Sequence, residues 1–447
     1  MKILLTVHQF LPKYSSGTEV LTYETAKALL DRGHDVRVLT AEPVERETAL
    51  NNAYLTDQYN NITVYRLHYH DAATSNPVRA EYYNTDNKKT VENLMRDFKP
   101  DIVHIMHCYR LSATIIDVFH NLNIPVIVTA TDFWLICPYA QLKLPNNKTC
   151  IGPDLFSMNC LKCFVSKTQP RAFRQTINRL PKILLVLLGV SARFRIIENW
   201  DKGVMFRAIV RRQKYMLNQI KKVNKIIAPT DIMSEILASN GVDKNKIIKL
   251  PYGINYNGVR QRKPNKYRGM IKFAFIGTLY EHKGVHILIK AFTELKKKYH
   301  STELKIYGDV TQFPKYTHYL KKLSAGVGNL YFLGTFPNAE IEEIFEDIDV
   351  LVVPSIWYEN TPLVIYSAFQ TKTPVIATNL GGMSEVVRHN INGLLFEKED
   401  PASLMERMER FLQQPKLLAK LSSGIQQVKS IEENVRELEE LYVKCFK

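Results

Sequence analysis

The chain is 447 residues long, 45% hydrophobic and 23% charged, which is ordinary for a globular protein and enough for two or three domains with cores of their own. Its formal charge of +16 points to an anionic partner, whether nucleic acid, an anionic membrane or a phosphorylated substrate. No apolar run reaches the roughly 18 residues a spanning helix needs, and MKILLTVHQF is too short for a signal-peptide core, so the expected placement is cytoplasmic with mostly reduced thiols.

Lys2–Thr6 and Val36–Thr40 read as buried strands joined by a helix from about Thr18 to Arg32, with Gly33 as its stop. This is how a Rossmann-type domain opens. The loop SSGTE carries one glycine, so the fingerprint G-x-G-x-x-G is absent, which argues against a dehydrogenase. Gly17 reads either as a turn residue or as a point of close backbone approach to a ligand. Asp101–Met106 and Pro125–Ala130 repeat the parallel-strand pattern around a helix at 111–121. Asp132 then stands at the carboxyl end of a strand, where ligands bind in open α/β sheets, or else it caps the following turn.

Cys137, Cys150, Cys160 and Cys163 follow with the spacing C-x12-C-x9-C-x2-C. Four thiolates suit a tetrahedral structural zinc; the plainer reading is that they pack as free thiols. Residues 167–225 hold fifteen Lys or Arg and two acids. Here Ile183–Val190 is apolar but too short to span a bilayer. Phe206, Ile209, Val210, Leu217, Ile220 and Val223 recur at helical spacing beside Arg207, Arg211, Arg212, Lys214, Lys221 and Lys222. The pattern fits a basic amphipathic helix lying on an anionic membrane, or a helix whose apolar face packs on the domain core. No nucleic-acid-binding motif accompanies the charge, so nucleic acid is not an expected partner.

A strand at Lys225–Pro229, a helix at Asp231–Ser239 and a strand at Ile247–Leu250 lead into PYGIN and a polar linker at 256–268. A second strand–loop–helix opening follows: Lys272–Ile276, Gly277–Gly284 and Val285–Tyr299, with further strand ends at Tyr307 and Leu333. The stretch from Asp349 to Gly382 then reads as a strand (Val350–Val353), a loop, a helix starting near Thr361 or Pro362, and a strand (Val375–Thr378). The amides and positive dipole end of that helix make a seat for phosphate. Glu359, at its mouth, would repel an anion unless it faces something else, such as a sugar hydroxyl. Helices at Pro401–Leu412 and Ser430–Phe446 close the chain, the last able to cross back to the first domain.

Two parallel α/β lobes without a dinucleotide fingerprint resemble the GT-B fold, two Rossmann-like parallel-sheet domains facing a central cleft. The segments FIGTLYEHKGVHILIKAF, DVLVVPSIWYENTPLVIYSAF and TPVIATNLGGMSEVV, with GTE near the N-terminus and PYGIN at the linker, resemble glycosyltransferase family 4, the retaining nucleotide-sugar transferases also called glycosyl transferases group 1. The resemblance implies an acceptor domain at 1–255, carrying the cysteine loop 137–163 and the basic insert 167–225, a donor domain at 256–429, and a helix at 430–447. It implies that Glu359 holds hydroxyls of the transferred hexose, that the backbone from Asn360 through Thr361 and Pro362 to Leu363 seats the diphosphate with its free amides, and that Lys283 offsets charge on the leaving group. Gly17 and Gly277 would approach the phosphates, and Asp132 would act on the acceptor or sugar side.

Three positions depart from the family pattern. Ser367 stands where a second glutamate grips the ribose, Thr278 where an arginine binds phosphate, and Thr131 where a histidine often precedes the acid. The implied activity is hexosyl transfer from a UDP- or GDP-linked sugar to a saccharide or lipid-linked acceptor in cell-surface glycan synthesis, with no cofactor needed for catalysis and peripheral placement on the inner face of the plasma membrane. A non-catalytic GT-B scaffold that binds sugar nucleotide, membrane or a partner is the alternative, motivated by the three departures.

Overall fold

A computed structural model describes residues 1–45, 53–69, 77–193, 201–255 and 269–446. The chain forms two compact units, Met1–Tyr252 with Ile431–Lys447, and Gly253–Ser430. The linker expected at 256–268 lies outside the described residues.

The first unit is built on an eight-stranded sheet: β1 (Lys2–Thr6), β2 (Asp35–Pro43), β3 (Tyr54–Tyr59), β4 (Ile62–Tyr69), β5 (Ile102–Ile105), β6 (Val126–Thr129), β7 (Lys225–Ala228) and β8 (Ile247–Lys249). The order is β3-β4-β2-β1-β5-β6-β7-β8, parallel throughout except at the β3–β4 edge. Strands β5 and β6 are buried along their whole length, as a parallel sheet covered on both faces requires. The chain leaves β1 toward β2 on one side and returns to β5 on the other, so the topological switch lies between β1 and β5. The antiparallel β3–β4 hairpin was not expected from the sequence. Its turn is Asn60-Asn61, both with positive φ (46° and 66°), a conformation asparagine tolerates. The helix expected from residue 111 begins at Ile115, because Arg110 and Ser112 are both held at φ 68°.

The C-terminal helix (Ile431–Phe446) belongs to this unit. Ile431, Val435, Leu438, Leu441 and Tyr442 share a core with Ile3, Leu5 and Leu29. The Tyr442 hydroxyl lies 2.6 Å from His104 Nδ1, and Thr129 Oγ1 lies 2.7 Å from His104 Nε2. Burial pushes the His104 pKa down to about 3, so the ring is neutral and serves as a core hydrogen-bonding group.

The second unit holds a six-stranded parallel sheet: β9 (Ile271–Ile276), β10 (Thr302–Tyr307), β11 (Leu330–Gly334), β12 (Val350–Val353), β13 (Val375–Thr378) and β14 (Gly393–Phe396). Its order, β11-β10-β9-β12-β13-β14, puts the switch between β9 and β12. The strands at 350–353 and 375–378 fall where the apolar runs placed them. The helix between them begins at Leu363, with Pro362 as the residue ahead of its first turn.

The basic helix, Asp201–Lys222, turns its apolar residues inward. Phe206, Ile209 and Val210 pack with Met158, Leu161, Phe164 and Val165, and Ile220 and Val223 are also buried. The membrane-lying reading of this helix is therefore corrected: its apolar stripe is spent on the core. Arg212 goes with it. Its guanidinium is fully buried and donates to the carbonyls of Trp134 and Ile136, and it stands 5.1 Å from the Trp134 ring. Among the described residues no helix is long and apolar enough to cross a membrane.

Arg212 thus fastens the loop that follows Asp132. Replacing it by Met would leave two buried carbonyls without a donor, and the expected loss is roughly 2–4 kcal/mol in denaturant unfolding. Lys at 212 should recover only part, since it replaces the planar guanidinium, whose two terminal nitrogens reach the two carbonyls separately, with a single point of donation. A loss below about 0.5 kcal/mol for Met would contradict the clamp.

Candidate active site

In the second unit the two loops flanking the sheet's switch point, after β9 and after β12, carry Lys283 and Glu359. They are knitted at backbone level. Ile356 N donates to the His282 carbonyl at 2.8 Å, and a Cβ on Gly284 (φ +73°) would lie 1.8 Å from the Pro354 carbonyl oxygen, so only glycine fits there. Across this seam Lys283 Nζ donates to Glu359 Oε1 at 2.6 Å. Ser355 Oγ and Trp357 Nε1 donate to the same oxygen, each at 2.7 Å. None of the three bonds Oε2. The His282 and Trp357 rings lie 4.5 Å apart at a 55° tilt, and Lys283 Nζ lies 5.6 Å from the Trp357 ring centroid.

Burial by itself would push the Glu359 carboxyl up. The charge and hydrogen bond of Lys283, the Ser355 hydroxyl and the nearby His282 outweigh it and hold the group below the usual carboxylate range. The acid ahead of the helix N-terminus is thus already paired with a cation, which removes the repulsion of an anion expected from the sequence.

Asn360 and Thr361 follow Glu359 and are buried (7% and 5% exposed). They lead into the helix Leu363–Gln370, whose N-terminus no described side chain caps. The Thr361 hydroxyl is buried beside that of Tyr366. Pro362 and Leu363 are half-buried at the helix start, and Gly277 and Thr278 are half-buried after β9. Gly277 adopts φ +154° and donates its N–H to the Tyr307 carbonyl at 3.1 Å. Ser367, one turn into the helix, donates its hydroxyl to the Leu363 carbonyl at 3.3 Å, so its polar group is turned onto its own helix.

In the first unit Asp132 follows β6. Its Oδ1 accepts the Trp134 N–H at 2.8 Å, and its Oδ2 lies 3.2 Å from His107 Nε2. The Tyr109 N–H donates to His107 Nδ1 at 3.0 Å, which makes Nδ1 an acceptor and leaves Nε2 as the protonated nitrogen facing Asp132. Thr131 Oγ1 is tied to the Met106 carbonyl at 3.0 Å. The imidazole absent at position 131 is therefore met at Asp132 by His107, from the neighbouring strand end. The His8 ring, after β1, lies 4.6 Å from that of His107 at a 56° tilt, and its Nε2 lies 3.2 Å from the Oε1 of buried Glu19. Burial, then the neighbouring His107 and Arg110, lower the His8 pKa, and burial raises that of Glu19. Gly17 is exposed at the first turn of Gly17–Asp31, two residues before Glu19. His8, Glu19 and His107 were missed from sequence. The available signal was position: His8 and His107 follow the two strands that flank the switch.

The four cysteines are free thiols. Cys150 Sγ accepts the Gly152 N–H at 3.4 Å, burial pushes Cys163 up to about 12, and Cys160 is raised well above its ordinary value. Among the described residues no three His, Cys, Asp or Glu are grouped so as to hold a metal ion, so the expected zinc set is not preformed.

Residues 259–428 match the family described as glycosyl transferases group 1, and residues 15–149 match glycosyltransferase family 4. An uncharacterized 42.6 kDa protein of the cps region of Klebsiella pneumoniae is 22% identical over 87% of this chain and 88% of that protein. An uncharacterized glycosyltransferase of Methanocaldococcus jannaschii is 29% identical over 31% of the chain, and a D-inositol 3-phosphate glycosyltransferase of Corynebacterium urealyticum 30% identical over 31%. The chain spans only 35% and 34% of those two relatives. Among solved structures, Anabaena HepE in complex with UDP superposes with a TM-score of 0.66 at 16% identity over 99% of this chain and all of that one, and the lipopolysaccharide glycosyltransferase WaaG with 0.54 at 15% over 99% and 98%. The shared fold is GT-B.

The Lys283–Glu359 pair has a pH signature. With its folded pKa below the unfolded value, Glu359 stabilises the fold above the ordinary carboxylate range, and that contribution fades as pH falls through the depressed value. The stability difference between wild type and Glu359→Gln should be largest near neutral pH and shrink below about pH 4. Denaturant unfolding at several pH values measures it. A difference that stays constant down to about pH 3 would contradict the pairing.

Proposed function

The chain belongs to glycosyltransferase family 4, the group 1 glycosyl transferases, and on that premise we propose that it transfers a hexose-type sugar from a UDP- or GDP-linked donor to a saccharide or lipid-linked acceptor. The observation that carries this reading is the Lys283–Glu359 pair at the β9/β12 switch point, with Glu359 four residues ahead of the first residue of an uncapped helix. The helix amides take the diphosphate, and Lys283, released in part from Glu359, offsets charge on the leaving phosphate. Glu359, anchored through Oε1, has Oε2 left to accept a sugar hydroxyl.

The reaction is read as retaining and independent of metal. The bond from the anomeric carbon to the phosphate oxygen breaks, and the bond to the acceptor oxygen forms on the same face. The acceptor proton passes to the departing phosphate, so catalysis is chiefly positioning and electrostatics. Asp132, oriented by His107, would hold the acceptor side. In HepE, structures with UDP and with UDP-glucose show a donor of this class on the same fold. Peripheral attachment at the cytoplasmic membrane face and a part in cell-surface glycan synthesis complete the reading. The Klebsiella relative, from a cps region, supports the latter.

A non-catalytic scaffold is favoured by one observation, the Ser367 hydroxyl bound to its own helix. Losing a ribose-gripping carboxylate costs donor affinity on the order of 1–3 kcal/mol. Sugar-nucleotide hydrolysis and transfer across a UDP- and GDP-sugar panel separates the two. The enzyme reading expects turnover with at least one donor and a fall of about 100-fold or more in kcat/KM for Lys283→Ala. Donor binding without turnover on the whole panel would establish the scaffold instead.

A structural zinc on Cys137, Cys150, Cys160 and Cys163 is proposed apart from catalysis. It is supported by their spacing, C-x12-C-x9-C-x2-C. Elemental analysis of purified protein should give about one zinc per chain. None would reduce the four thiols to packing groups.

A further inference from the structure

The helix Lys182–Arg193 leaves an apolar face uncovered. Ile183 is 73% exposed, Leu184 44% and Leu187 56%. Gly189 fixes which side faces in, since a Cβ there would lie 2.9 Å from Phe156 Cβ and 2.7 Å from Met158 Cε. At about 100° per residue, Ile183, Leu184 and Leu187 all fall opposite Gly189. Beside Phe156, in the segment this helix packs on, Leu155 is 71% exposed, and Ile151 is 75% exposed four residues before it. Exposed leucines and isoleucines in this number are not what a solvated helix shows.

The surrounding charge says what kind of surface would cover them. From Lys167 to Arg193 there are six Lys or Arg and no acid. Arg171 and Arg179, on the helix Arg171–Arg179 just ahead, are exposed. Asp154, the acid next to Leu155, is occupied, its Oδ1 accepting the Asn159 N–H at 3.0 Å. A protein partner would need both an apolar groove and an acidic rim. An anionic leaflet supplies both at once, with acyl chains for the leucines and headgroup phosphates for the arginines.

We propose that Ile183, Leu184 and Leu187, with Ile151 and Leu155, insert into the interfacial layer of an anionic membrane while Arg171 and Arg179 bind its headgroups. This rests on the peripheral placement in the proposed function and moves it from the helix 201–222, whose apolar face is buried, to the helix before it. Such a face anchors the first unit on the bilayer and suits an acceptor that is itself membrane-borne.

Co-sedimentation with phosphatidylcholine vesicles, with and without phosphatidylglycerol, tests it. Wild type should sediment only with phosphatidylglycerol present. Ile183→Asp with Leu187→Asp should lower the partition by roughly tenfold or more, and so should Arg171→Glu with Arg179→Glu, with thermal unfolding unchanged. Wild type that stays in solution, or that sediments equally after both pairs of changes, overturns the proposal. So does binding only when a lipid-linked saccharide is added to neutral vesicles. Turnover of soluble sugar nucleotides by the non-binding variants separates this outcome from a failure of the transferase reading.

Discussion

The second unit depends on one ion pair. Lys283 reaches across the seam between the β9 and β12 loops to Glu359 Oε1, where Ser355 and Trp357 also converge. A buried carboxylate needs such partners, because burial alone favours its protonated form. Three donors on one oxygen keep it ionised and fix its orientation. The same contact ties a cation to the residue four positions ahead of an uncapped helix. Glycine at 284 is what lets the two loops meet, since any side chain would strike the Pro354 carbonyl. Sheet topology, backbone contact and charge thus all bear on one point at the carboxyl edge of the sheet.

The first unit solves a related problem with a buried cation. Arg212 arrives on a helix that the sequence marks as basic and amphipathic, yet its guanidinium turns inward to hold the carbonyls of Trp134 and Ile136. The loop so held begins at Asp132, whose carboxylate is tied to the Trp134 N–H on one side and faces His107 on the other. Part of the charge excess in 167–225 is therefore structural. The apolar surface that remains exposed is displaced to the neighbouring helix, in a stretch from Lys167 to Arg193 that holds six Lys or Arg and no acid.

Much of this was legible. The runs VLVV and VIAT gave β12 and β13 their bounds because short, β-branched and fully apolar stretches have few other stable uses. Glu359 stands out from its loop, whereas Lys283 is singled out only by the family resemblance. What sequence could not supply was their pairing, 76 residues apart, which only the adjacency of β9 and β12 creates. His107 was missed for the same reason: its meaning comes from a strand neighbour, not from the residue before Asp132. The fate of helix 201–222 was undecidable from periodicity, because an apolar stripe looks alike whether it meets a core or a bilayer. The β3–β4 hairpin was overlooked although Asn60-Asn61 marks its turn.

The central claim is that Lys283 and Glu359 act as one unit toward the donor. A double-mutant cycle on UDP-sugar binding, by calorimetric titration of wild type, Lys283→Ala, Glu359→Ala and the double variant, tests it most directly. The losses should be non-additive, with a coupling of about 1–3 kcal/mol, because either single change dismantles the same pair. Additive losses, within about 0.3 kcal/mol, would show that the two side chains serve the donor independently and would contradict this account.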